Sequence, residues 1–178
     1  SEYRFLQKKF SLQPIPAVMW KKARLRPQNA PERRIRQFAQ LICQSEWLFS
    51  SMLTAPTVRA LRQLLHFVPL PSTHGLQPPP PLGKASVDIL LINTLLPYRY
   101  AYAELQHNAQ AMQSAIDLMH DLPAEDNSII RQWRLLGQQV TSAADSQALI
   151  HLYQHYCQHE RCIHCEVGTL VFDSLPRS

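Results

Sequence analysis

The sequence predicts an all-α fold, a compact bundle of about six or seven helices with a proline-rich loop. Three observations predict it. Only 4 of the 178 residues are glycine, and the chain is rich in Leu, Gln and Ala, which lose little on entering a helix. Apolar residues recur at three- and four-residue spacing, with no sustained alternation. The 14 prolines gather in clusters, where they separate helices rather than interrupt them. An apolar fraction of 46% is enough for a sizeable core.

Residues 1–10 read as a short helix with Tyr3, Phe5, Leu6 and Phe10 near one side. Residues 11–31 carry Pro14, Pro16, Pro27 and Pro31 around Val18, Met19 and Trp20, so an irregular stretch with one helical turn is expected. Pro31 suits a first helical turn. Ile35, Phe38, Ile42, Phe49 and Met52 follow at helical spacing, which predicts one helix to about Leu53. A shorter helix over 56–67 starts at Pro56. Residues 69–83 (PLPSTHGLQPPPPLG) form the clearest loop, a polyproline spacer or a ligand for a proline-binding module.

Lys84–Gln106 reads as a long helix that is apolar nearly all round, and therefore buried on several sides, with a kink at Pro97. Leu90, Leu91, Leu95, Leu96, Tyr98 and Tyr102 are expected in the core. Ala109–Leu122 is amphipathic and ends before Pro123. Asn127 or Ser128 caps the next helix, which Gly137 stops. Ser142 or Asp145 caps another through Tyr156, and a last short helix covers 162–172. The domain division expected is a basic, proline-punctuated arm over 1–30 and a helical domain over 31–178.

The net charge of +5 is uneven. Residues 1–36 hold ten Lys and Arg against Glu2 and Glu32, a balance of +8, and the remainder balances at −3. Lys21, Lys22, Arg24, Arg26, Arg33, Arg34 and Arg36 lie close to Trp20, a composition that suits phosphate pairing and base stacking on DNA or RNA. The same charges also fit an ordinary surface, or one that docks on an acidic neighbour. No segment reads as a signal peptide or a membrane span. Four cysteines do not make a disulfide framework, so a reducing, cytoplasmic compartment is expected. The start at Ser1, without methionine, suggests a piece of a longer chain.

Cys157-x4-Cys162-x2-Cys165 is interleaved with His155, His159 and His164. Cys157, Cys162 and Cys165 make a candidate structural zinc site with His164, His159, His155 or the distant Cys43 as the fourth ligand; an iron–sulfur cluster would need Cys43 as its fourth thiolate. The alternative is cysteine as a small apolar filler. His151, His155 and His159 stand at i, i+4 and i+8, and Leu152, Tyr153 and Gln154 supply no glutamate for a metalloprotease motif. Asp88, Asn93 and Arg99 read as core groups with partners of their own. Neither a nucleophile elbow nor a phosphate-cradling glycine loop is present, so this chain alone is not expected to be an enzyme.

The runs RLRPQNAPERRIRQFAQLICQSEWLFSSML (24–53), LGKASVDILLINTLLPYRYAYA (82–103), LPAEDNSIIRQWRLLG (122–137) and DSQALIHLYQHYCQHERCIHC (145–165), in this order, resemble the C-terminal half of a bacterial family, domain of unknown function 2851. The resemblance implies longer members with a preceding half, of restriction-endonuclease-like fold, that carries Asp and Glu-x-His elements. None of those residues maps onto this chain. It implies here a helical companion domain with the three-cysteine motif at Cys157, Cys162 and Cys165. Two functions follow as expectations: a non-catalytic accessory or nucleic-acid-binding domain of a nuclease-like protein, or a structural, protein-interaction domain, stapled by a metal, that docks on the N-terminal half of the same gene product.

Overall fold

The computed structural model describes residues 2–20, 30–69 and 77–174. The described residues are helical, with no strand; one isolated bridge joins Pro123 and Ser142. The order is α1 (Glu2–Lys9), a 3-10 turn (Ala17–Met19), α2 (Pro31–Cys43), α3 (Leu48–Thr54), α4 (Val58–Leu64), α5 (Lys84–Leu90), a π-helical turn (Leu91–Leu95), α6 (Leu96–Leu105), α7 (Ala109–Asp121), α8 (Ser128–Leu135), α9 (Ala143–His155), 3-10 turns at Cys157–His159 and Cys162–His164, and α10 (Glu166–Ser174). The chain divides into two units, Ser1–Glu46 with Phe67–Pro81, and Trp47–His66 with Leu82–Ser178.

In the first unit α2 carries the structure. Its buried residues are Gln37 and Leu41. Gln37 is a polar group that meets its hydrogen-bonding needs locally: it accepts from Arg34 Nη1 at 3.0 Å and donates Nε2 to the Pro80 carbonyl at 2.8 Å. Arg36 Nη1 donates to the Gln77 carbonyl at 3.2 Å. Pro79 is buried. The proline run therefore packs within its own unit, which favours the spacer over the exposed ligand.

The single helix expected from Pro31 to Leu53 is two helices. Gln44 ends the first by acting like a peptide group: its Nε2 donates to the Val68 carbonyl at 2.6 Å and its Oε1 accepts from the Val68 N–H at 3.0 Å. Thr57, rather than Pro56, starts α4, accepting from Ala60 N at 3.1 Å.

In the second unit α5, the π turn and α6 run on continuously as the central element. Leu96 N–H bonds to the Leu91 carbonyl, five residues back. Pro97 follows directly. A proline cannot donate and its ring crowds the carbonyl four residues earlier, and a wide turn relieves both problems. The expected discontinuity at Pro97 thus takes the form of a π turn.

The turn also sets which side is buried. Val87, Asp88, Leu91, Ile92, Leu96, Arg99 and Ala103 are buried. At roughly 100° per residue, Leu96 would lie half a turn from Val87 in an unbroken α-helix. The extra residue in the π turn brings it back, so one face stays inward. The expectation of burial on several sides is corrected: Leu91 is 0% and Leu96 1% exposed, whereas Leu90 is 39%, Tyr98 51% and Tyr102 38% exposed, and Leu95 is half-buried. The outward tyrosines stack on each other at 6.4 Å between centroids, and both meet the edge of Phe49 from α3.

Against the central element pack α4 and α7, and α9 packs in turn on α7 and α8; Leu61, Ala115, Leu118, Leu122, Ile130 and Ala143 are buried among them. Asp88 and Arg99 are the charged groups of this core, and only the Arg99 Nε is buried without a hydrogen-bond partner among their described atoms. Asp88 accepts from Arg62 Nε and Nη2 at 2.7 and 3.0 Å. Arg99 donates Nη1 to the Ala55 carbonyl at 2.7 Å and Nη2 to Ser114 Oγ at 3.0 Å, and burial lowers its pKa. The expected caps hold. Asn127 accepts from Ile130 N, and Ser142 and Asp145 form a reciprocal capping box.

Candidate functional site

Helix α2 is amphipathic, but its apolar stripe faces out. Ile35, Phe38 and Ile42 recur at three and four residues and so share one face. They are 46%, 61% and 49% exposed. The buried side, Gln37 and Leu41, lies about a third of a turn away. In the sequence these three residues marked a helix by their spacing. Spacing alone shows that a face is apolar, not whether this chain covers it.

The basic residues divide. Lys21, Lys22, Arg24 and Arg26 lie outside the described residues. Arg33 and Arg34 are half-buried on α2 and Arg36 is exposed. Arg34 and Arg36 donate to Gln37 and to the Gln77 carbonyl, as above, so part of their hydrogen-bonding capacity is committed inside the unit. On α1, Lys9 Nζ lies 5.7 Å from the Phe5 ring centre and 5.3 Å from that of Phe10, a cation–π arrangement.

At the other end of the chain, the 3-10 turn that follows α9 closes through a left-handed residue, Glu160, with φ 54°. The Arg161 N–H bonds back to the Tyr156 carbonyl. This fold-back and the next 3-10 turn bring the cysteines near one another. Cys165 is buried; Cys157 and Cys162 are exposed. The Cys157 thiol is pushed up, first by partial desolvation and then by the charges of Cys165 and Cys162. A zinc ion would need four such donors around one point, with sulfur at about 2.3 Å. Among the described residues no group of three or more His, Cys, Asp or Glu side chains is placed to hold a metal ion. His164 is exposed on the same turn, and Cys43, the extra thiolate a cluster would need, is exposed on α2.

Sequence reasoning missed Gly168. A Cβ there would come within 2.2 Å of the Cys162 carbonyl oxygen. This glycine lets α10 lie against the cysteine turn, and the only sequence signal was an isolated glycine inside a helical stretch. No described helix is long and apolar enough to cross a membrane.

No curated protein and no solved structure matches the chain. One family model does, "Protein of unknown function (DUF2851)", over residues 1–128. The match includes α1 to α7, with the outward stripe of α2 and the π turn, and the cysteine turn lies beyond it. By this match the chain belongs to the family of proteins of unknown function DUF2851.

Proposed function

We propose that this chain is a non-catalytic helical docking domain, and that the Ile35–Phe38–Ile42 face of α2 seats on a preceding domain of the same gene product. The outward apolar stripe carries the reading. Three large side chains in line, each about half exposed or more, cost free energy in water and gain it against a partner. Helix-in-groove recognition uses anchors at this spacing. The concentration of positive charge in residues 1–36 steers such a surface toward an acidic neighbour. The test is calorimetric titration of the chain with the preceding domain of a longer family member. The parent binds and Phe38→Asp does not. A parent that fails to bind, or a variant that binds equally well, overturns the reading.

A second reading, nucleic-acid binding by the basic segment, rests on that +8 balance. It predicts binding that weakens with salt, with a slope that flattens by at most about three units when Arg33, Arg34 and Arg36 become Gln. Trp20, partly exposed, provides the fluorescence signal. Binding that is absent at low salt, or a slope the triple variant leaves unchanged, rejects it.

A further inference from the structure

A cleft of about 720 Å³ opens beside the C-terminal end of α9, lined by His151, His155, Tyr156, Arg161 and His164. Its size falls within the range of small-molecule sites. All five side chains can donate a hydrogen bond and none is a carboxylate. Glu160 and Glu166 are neighbours in sequence but do not line it. Arg161 has no carboxylate partner among the described residues. The rings of His151 and His155 lie 4.2 Å apart at 35°, and Tyr156 meets His151 edge-on at 6.4 Å. Two carbonyls near the helix end are occupied. Leu152 O accepts from Tyr156 N, and Tyr156 O accepts from both His159 N and Arg161 N.

From this lining we infer that the cleft binds the phosphate group of a small organic phosphate. A guanidinium fork engages two oxygens of a tetrahedral oxyanion. Imidazole and phenol donors approach from other sides and reach the third, which a carboxylate lacks. A cation is disfavoured by the fixed charge of Arg161. The cleft is larger than a bare phosphate needs, and the paired rings offer an aromatic wall to the organic part. Nothing in this depends on the docking face of α2.

The test follows imidazole nitrogen resonances in ¹⁵N-histidine protein, titrated with AMP, inorganic phosphate and adenosine at constant pH and ionic strength. Saturable shifts at His151, His155 and His164 are expected with AMP and, more weakly, with inorganic phosphate; adenosine leaves them in place. Equal affinity for AMP and phosphate also supports the site and means that only the phosphate is read. Arg161→Gln weakens AMP binding at least tenfold with no change in thermal unfolding, since Arg161 is exposed. The double variant His151→Asn/His155→Asn does the same. Silence toward both phosphates, identical responses to AMP and adenosine, or parental affinity in both variants overturns the inference.

Discussion

Ser11, His107, Gly137 and Glu160 all adopt left-handed backbone, with φ of 50°, 52°, 86° and 54°. After α1, α6 and α8 the bonds follow one scheme. Leu12 N reaches Gln7 O, Asn108 N reaches Ala103 O, and Gln138 N reaches Trp133 O, each beside a bond from the left-handed residue itself that spans fewer residues. Gly137 was legible as a stop because glycine adopts this conformation freely. Ser11 and His107 carry no such signature, since the turn imposes a strain that their side chains do not advertise. His107 is exposed, so His107→Gly is expected to raise stability by about 1 kcal/mol in urea unfolding. Gly168→Ala is expected to loosen α10 from the Cys162 carbonyl, seen as faster amide exchange in α10 with the rest of the second unit unchanged. Asp145 gives a pH prediction. The N–H groups of Ser142 and then Thr141 hold its carboxyl down at about 2, from 3.8. The folded state therefore favours the ionised form. This contribution to stability is present above about pH 3.8 and disappears as pH falls through about 2. Asp145→Asn should remove that part of the acid unfolding limb.

Among the elements, caps and stops were the parts most readily legible, because they depend on residues three or four positions apart. The two misread elements depend on distant partners or on register. Gln44 ends α2 through Val68, 24 residues away, which no local pattern announces. The central helix read as apolar all round because its buried residues belong to two α-helical registers joined by a π turn. Counted as one regular helix, they cover about half of the circumference; counted across the turn, they draw into a narrower face. Leucine truncations separate the two views. Leu91→Ala should cost about 2–5 kcal/mol as a core deletion. Leu90→Ala, on the outward side, should cost under about 1 kcal/mol. Equal losses in denaturant unfolding would restore the helix buried on several sides.

Viewed as a whole, the molecule keeps Asp88, Arg99 and its most deeply buried leucines in the second unit, and places an apolar stripe and most of its excess positive charge in the first. The all-α class was legible because it follows from composition and periodicity. The docking face was legible as a stripe but not as a surface, since only three-dimensional packing distinguishes a face the chain covers from one it leaves open. The central claim is that the α2 stripe is for a partner and contributes nothing to this chain's own core. Urea unfolding of Phe38→Asp in the isolated chain measures that directly. The account predicts a stability within about 0.5 kcal/mol of the parent, as for an exposed position. A loss of about 3–5 kcal/mol, the cost of removing a core phenylalanine, would contradict it.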